Sequence, residues 1–307
     1  MKKTNRVYGI LAVGAYMANF NADLSGYPKT TANNDIFGSD KALKYPMKRM
    51  WQMQGEKVLY IKSMKCDNDG EIMQPRDLNE RYTYLFGPLD EGTPSKEVLA
   101  NLFSAIDVMN FGATFAEKKQ NISITGAVQI NQGFNRFQGT NVLSQDILSP
   151  FRNSNEKSEG KLASTMGTKI VTDEAHYVYS FSVNPANYDE FIGLVDGFEG
   201  YTVEAYEKFK WAARVATTAF NTNSKCGCEN ELAVFIEMKE NCQLFLANLD
   251  RYVVVQKKGD KLLYDLSKLE EVLAPHQKDI ASIEIYSNPV TVEVNYGGLN
   301  CSCHTIY

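Results

Sequence analysis

The 307 residues are 44% hydrophobic and 22% charged, with a formal net charge of -5. That length carries one sizeable core, or one core with insertions. The acidic balance excludes a bulk polyanion binder but not a local basic groove, because nucleic acid responds to where charge is placed as well as to its sum.

Lys2, Lys3 and Arg6 precede an apolar run from Val7 to Ala18. A basic start before an apolar run is also the pattern of a secretory leader. The run is short for a membrane span, and its Val, Ile, Tyr and small residues predict a first strand over Val7–Met17. A polar region follows, from about Asn19 to Gly92. Inside it "KVLYIKSM" (57–64) predicts a strand, and "ALKYPMKRMWQM" predicts helix on either side of Pro46. In "GTPSKEVLANLFSAIDVM" Thr93 is the expected N-cap, with Pro94 at the first helical position. Val98, Leu99, Leu102, Phe103 and Ile106 then give one buried stripe.

"NISITGAVQI" (121–130) predicts the next strand. From Asn131 to Asp173 the chain is polar again and reads as a long hairpin or excursion. "HYVYSFSVNP" alternates, putting Tyr177, Tyr179, Phe181 and Val183 on one face. Thr202 is the expected cap of a helix over "VEAYEKFKWAARVATTAF", and "ELAVFIEM" (231–238) predicts a strand. A helical patch over 261–274 and strands in "YVVVQ" and "VTVEV" complete the chain. Without the two polar excursions the order is β-α-β-β-α-β. That is an α+β fold of the ferredoxin-like, RRM-like kind, with helices on one face of a four-stranded sheet. The fold fixes no activity by itself.

The first excursion holds Lys29, Lys41, Lys44, Lys48 and Arg49 against Asp35 and Asp40 over residues 29–49. Such residues suit phosphate contacts; they equally suit a solvated loop. The second, over 129–170, holds Arg136, Arg152, Lys157, Lys161 and Lys169 against three acids, with Phe134, Phe137, Leu148 and Phe151. Apolar residues on a protruding hairpin wedge between bases, dock on a neighbour, or pin the hairpin to its own core. Tyr177 and Tyr179 either stack bases, as on an RRM sheet, or fill the core.

Reaction chemistry has little to work with. Three His are present, none in H-E-x-x-H, and there is no P-loop, nucleophile elbow or Rossmann glycine motif. His176, at a strand start, reads as structural. The six Cys include two C-x-C pairs, Cys226/Cys228 and Cys301/Cys303. They fit a reducing, cytoplasmic setting. Their spacing is off the C-x₂₋₄-C of structural zinc, so no metal or other cofactor is expected.

"NFNADLSGYPKT", "DKALKYPMKRMW", "FGATFAEKKQNISITGAVQINQG", "DILSPFRN" and "STMGTKIVTDEAHYVYSFSVNP" together resemble the backbone subunit of type I CRISPR (Cascade) effector complexes. The likeness is to the Csd/Csh-like branch, subtype I-B, and spans most of residues 5–240. It implies a modified RRM-like palm forming a single domain over 1–307. A finger insertion would occupy 19–92 and a thumb insertion 131–173. It implies a non-catalytic filament subunit that holds CRISPR RNA in six-nucleotide segments, turning out every sixth base. The other bases are left free to pair with target DNA. The implied partners are that RNA, the DNA, further copies of the chain, the small, large and guide-processing subunits, and a recruited nuclease-helicase. No membrane is involved.

By the same resemblance Asn21, Lys29 and Thr30 lie near the RNA path, and Lys41, Lys44, Lys48 and Arg49 form the basic finger segment, led by Lys44 and Lys48. Gln129, Asn131, Gln132 and Arg136, on the segment leading into the thumb, are implied RNA contacts, with Phe134 and Phe137 at the thumb base. Met166, Gly167 and Lys169, on its return, are implied contacts to RNA or to the next subunit. Around Lys225, in "NTNSKCG", relatives often carry a more basic serine-rich pattern; "CGC" interrupts the resemblance here and leaves contact of this site with RNA open. Type III relatives carry an RNA-cleaving Asp after the first strand, where Asp23 and Asp35 stand here. A lone Asp in a polar loop is usually a turn residue, and the motifs fit the DNA-targeting branch.

Overall fold

The computed structural model describes residues 1–67, 69–152 and 164–307, with backbone alone at 149–152 and 164–166. The first half contains β1 (Val7–Ala18), β2 (Phe37–Gly38), α1 (Asp40–Met53), β3 (Met64–Cys66), β4 (Met73–Pro75), α2 (Leu78–Phe86), α3 (Ser95–Phe103), α4 (Ile106–Phe111), β5 (Gly112–Phe115), β6 (Ile122–Thr125), β7 (Val128–Ile130), β8 (Gly133–Asn135) and β9 (Val142–Arg152). Then come β10 (Ser164–Val183), α5 (Val203–Ala219), β11 (Cys228–Met238), β12 (Val254–Lys258), β13 (Lys261–Asp265), α6 (Ser267–Leu273), β14 (Ile280–Ser287), β15 (Val292–Asn295) and β16 (Ser302–Thr305).

The fold is mixed α+β. β1 is central, antiparallel to β10 on one side and β11 on the other. β7 joins the outer side of β10, so the order β11-β1-β10-β7 is that of the β-α-β-β-α-β unit. β14 and β16 widen one edge; β8 and β2 widen the other. β10 has two jobs. Thr172–Val183 lies against β1 in the sheet, while Ser164–Thr172 pairs with β9 as a hairpin arm. Of the stretch expected as one excursion over 131–173, the hairpin arms are Val142–Arg152 and Ser164–Thr172, while Gly133–Asn135 is strand β8 at the sheet edge; 153–163 lie outside the described residues.

Both faces of the sheet are covered. On one face Leu11, Val13, Tyr177, Tyr179, Phe181 and Phe235 pack under Leu43, Met47 and Trp51 of α1, Val98 and Leu102 of α3, and Phe209 and Ala213 of α5. On the other face Tyr8, Ile10, Leu232, Val234 and Ile236 pack under Val255, Leu262, Tyr264, Leu269 and Leu273. Those residues come from the small sheet β12-β13-β15 and α6. The sequence reading had helices on one face alone and gave the helix and strands expected after 240 no place against the sheet. The third layer has a simple cause. β1 and β11 are apolar at consecutive positions rather than alternate ones, so both of their faces need burial.

Four local expectations change. Residues 57–63 are not a strand, because the Leu59 and Tyr60 N–H groups bond the Asp107 carboxylate instead of a ladder. Residues 261–274 are β13 followed by α6 rather than one helix. α3 starts at Ser95 with Pro94 before it, and Thr93 closes a turn onto Asp90. α1 runs unbroken through Pro46, whose missing N–H leaves the Ala42 carbonyl without its helical donor. Thr202 does cap α5, its Oγ1 accepting the Ala205 N–H at 3.1 Å. No helix among the described residues is long and apolar enough to cross a membrane.

Candidate nucleic-acid interface

Residues three and four apart share a helix face. Along α1 this gathers Leu43, Met47 and Trp51 into the core and leaves Asp40, Lys41, Lys44, Tyr45 and Lys48 along the opposite side. That side forms one wall of an open groove of about 650 Å³, completed by Tyr60, Phe111, Gly112–Thr114 and Ile124.

The three lysines are not equivalent. Lys41 is exposed and makes no ion pair among the described residues. Lys44 is 3.0 Å from Asp40, and its amine lies 5.0 Å from the Phe111 ring centroid. Lys48 is 3.6 Å from the buried Asp107 and donates to the Tyr60 carbonyl at 3.2 Å. Burial lowers the Lys48 pKa, and Asp107 offsets part of that. Asp107 also accepts the Leu59 and Tyr60 N–H groups at 2.8 Å each. Lys48 and Asp107 together thus fasten the segment that carries Tyr60. The Tyr60 hydroxyl donates to the Thr114 carbonyl at 2.6 Å, and burial pushes it up to about 12, so it stays a neutral, fixed wall. Arg49 lies round the helix, donating to Gln52 beside an apolar hollow with Met50, Met53 and Phe220.

The loop behind β1 is tied to the start of α1. Asn21 Oδ1 accepts the Ser39 N–H at 2.7 Å, and Ser39 caps the helix. The Lys29 N–H bonds the Asn21 carbonyl, and the Lys29 carbonyl takes the Phe37 N–H. Thr30 is exposed and bridges to Ile36. From the turn between β7 and β8 Gln132 donates to Asp40 at 3.4 Å. Gly38 and Gly133 close over Tyr179, and a Cβ on either would overlap its ring or hydroxyl. Asn21, Gln132 and Lys44 therefore meet at one end of α1. Asp23 accepts the Ser25 and Tyr27 N–H groups, and Asp35 pairs with Thr31. Both are turn residues, and no group of three or more potential metal ligands occurs among the described residues.

A family model described as CRISPR-associated protein Cas7 matches residues 5–276. The chain belongs to that family. A chain of a solved structure titled "CRISPR RNA-guided surveillance complex, pre-nicking" is 12% identical. The match covers 98% of this chain and 96% of that one, with a TM-score of 0.59, and shows a shared fold. A second, titled "CRISPR RNA-guided surveillance complex", is 14% identical over 94% and 95% of the two chains, with a TM-score of 0.48. No curated protein sequence matches significantly.

Other Cas7-family candidates lie away from the groove. Gln129 donates to the Gly126 carbonyl. Asn131 bonds Asp250 and the Ser180 N–H, and Arg136 pairs with Asp250 at 2.6 Å. These two fasten the chain near β8 to the 249–252 turn. Phe134 faces Phe37 at 6.1 Å. Phe137 packs against the second core, its ring edge-on to His176 at 5.1 Å. On the hairpin arm Lys169 stands opposite Gln145 and Met166 opposite Leu148; the Met166 side chain lies outside the described residues. Ile147 and Leu148 are exposed there, Leu148 at 70%. Tyr177 and Tyr179 are buried on the helix side, which removes them as base-stacking platforms. Sequence reasoning missed Tyr45, Tyr60, Phe111 and Thr114 as groove walls. Apart from Tyr45, which adjoins Lys44, they carry no signal along the chain.

Proposed function

We propose that this chain is the non-catalytic backbone subunit of a Cascade-type CRISPR effector complex, of the Csd/Csh-like branch and subtype I-B. Copies line up along CRISPR RNA, each holding a six-nucleotide segment and leaving bases free to pair with invading DNA. The sheet would be the palm, residues 19–92 the finger and residues 131–173, with the β9–β10 arm, the thumb. The thumb of one copy would press on its neighbour's RNA. The small, large and guide-processing subunits complete the assembly, and a recruited nuclease-helicase cuts the DNA.

The observation that carries this reading is the groove on α1, which collects amines and aromatic walls while both faces of the sheet are closed. Spacer sequence differs from one CRISPR RNA to the next. A backbone subunit must therefore hold phosphate and sugar while leaving base edges free. Many modest contacts on one connected RNA then add up to tight binding.

Nuclease footprinting of the assembled protein on CRISPR RNA, beside a scrambled RNA of equal length, tests it. Protection repeating every six nucleotides on both is the expected result. A single short footprint would make the protein an ordinary RNA binder. Absence of protection in the complete complex would remove the reading.

A further inference from the structure

The amines near α1 divide by whether the protein neutralises them. Lys44 has Asp40 and Lys48 has Asp107. Lys225 has no carboxylate partner among the described residues, yet it is half-buried, with its amine held 4.7 Å from the centroid of the Phe20 ring. Burial lowers its pKa. The acidic group beside it supplies no counter-charge, because burial pushes the Cys228 thiol up to about 12. An ammonium that has lost part of its water shell recovers free energy when an anion or strong acceptors meet it. Face-on contact with one Phe ring compensates only in part.

The turn carrying Lys225 is rigid. Its N–H and that of Cys226 both bond the Thr222 carbonyl, at 3.0 and 2.8 Å, and the Cys228 N–H bonds the Lys225 carbonyl at 2.8 Å. Gly227, at φ +102°, lies so close to the Tyr16 carbonyl that a Cβ would overlap it. The Asn19 N–H bonds the Ser224 carbonyl at 2.9 Å. Phe20 abuts Gly38 just before α1, so Lys225 is presented at the end of α1 where Asn21 and Gln132 meet.

We propose that Lys225 is a phosphate-contact residue, its ammonium preset against Phe20 to receive one phosphate of the bound polynucleotide. This rests on the RNA-binding reading above. The site takes a phosphodiester without regard to the base attached.

Lys225→Met keeps the apolar stem over Phe20 and removes the charge; Lys225→Arg keeps the charge. Each is compared with wild type in thermal melts and in RNA affinity measured across a salt series. For Lys225→Met the melting temperature is expected to hold or rise. Affinity should fall alike for every spacer, and the slope of log K against log salt should flatten by about 0.7 per bound copy. Lys225→Arg should restore most of the slope. An unchanged slope in Lys225→Met overturns the proposal, and so does a lowered melting temperature with unchanged slope, which makes Lys225 structural. Wild type without salt-dependent RNA binding in the complete complex overturns the RNA reading itself, and the proposal with it.

Discussion

The two faces of the central sheet are finished in opposite ways. The layer of β12, β13, β15 and α6 meets β1 and β11 through a dry contact of Ile10, Val234, Ile236, Leu262 and Leu269. The helix face has an equally dry floor, but α1 turns a second, polar side outward and builds a groove with Tyr60, Phe111 and Thr114. An open RRM sheet binds RNA on the bare face. Here that face is closed by the chain itself. A ligand is left the rim and the outer side of α1, where Lys41, Lys44 and Lys48 lie.

The sharpest way to break this comparison is to damage each layer and ask what is lost. Leu269→Ala empties a fully buried position in the closing layer. It should cost about 2–5 kcal/mol in denaturant unfolding, with the salt slope of RNA binding in the folded protein unchanged. Asp107→Ala removes the carboxylate beneath the groove and strands Lys48 and two N–H groups. Its cost should be about 3–5 kcal/mol, and it should weaken RNA binding as well, because Tyr60 loses its anchor. If Leu269→Ala changed the salt slope, the closed face would be part of the interface after all.

The same contrast governs what the sequence could say. β1 and β11 announced themselves as central strands, because every consecutive residue of "ILAV" and "LAVFI" is apolar. Read strictly, that pattern already demanded a layer on each side. The layer was missed because 261–274 matched a helical period. Leu262, Tyr264, Leu266, Leu269 and Leu273 are all buried, so their burial was legible while their geometry was not: short apolar runs do not separate strand from helix. The basic stripe of α1 was readable from spacing alone. The role of Lys48 was not, since its partner Asp107 lies far along the chain and Tyr60 sits in a segment that reads as strand. Charge counts along a sequence cannot separate an amine that faces solvent from one that fastens a wall.

That distinction yields a smaller, sharper test within the groove. Lys41 is exposed and Lys44 only partly neutralised, so Lys41→Ala and Lys44→Ala should leave unfolding stability within about 0.5 kcal/mol. Each should lower RNA affinity equally for all spacers and flatten the salt dependence. If both variants kept the wild-type slope, α1 would not be a phosphate-contact surface, whatever the footprint showed.

The smallest effect belongs to the seam between the layers. His176 is fully buried on β10, with Nδ1 2.7 Å from Glu231 and Nε2 3.2 Å from Glu174. Tyr16 and Tyr264 donate to Glu231, and Lys257 pairs with Glu174. Burial alone would lower the His176 pKa, but the bonds to Glu231 and Glu174 outweigh it and hold the value above the ordinary 6.5. The folded protein then binds a proton that the unfolded chain releases at lower pH. The stabilisation is complete below about pH 6.5 and is lost as pH rises through the folded value. Thermal melts from pH 6 to 9 should show wild type losing stability relative to His176→Gln as pH rises. The opposite slope would mean that His176 is neutral in the fold, and that Glu231 is held by the two tyrosines alone. Because Tyr264 belongs to the closing layer and His176 to the sheet, such a slope also reports whether that layer stays docked while RNA occupies the other side. Repeating the series with RNA bound should leave it unchanged if the two faces are energetically separate.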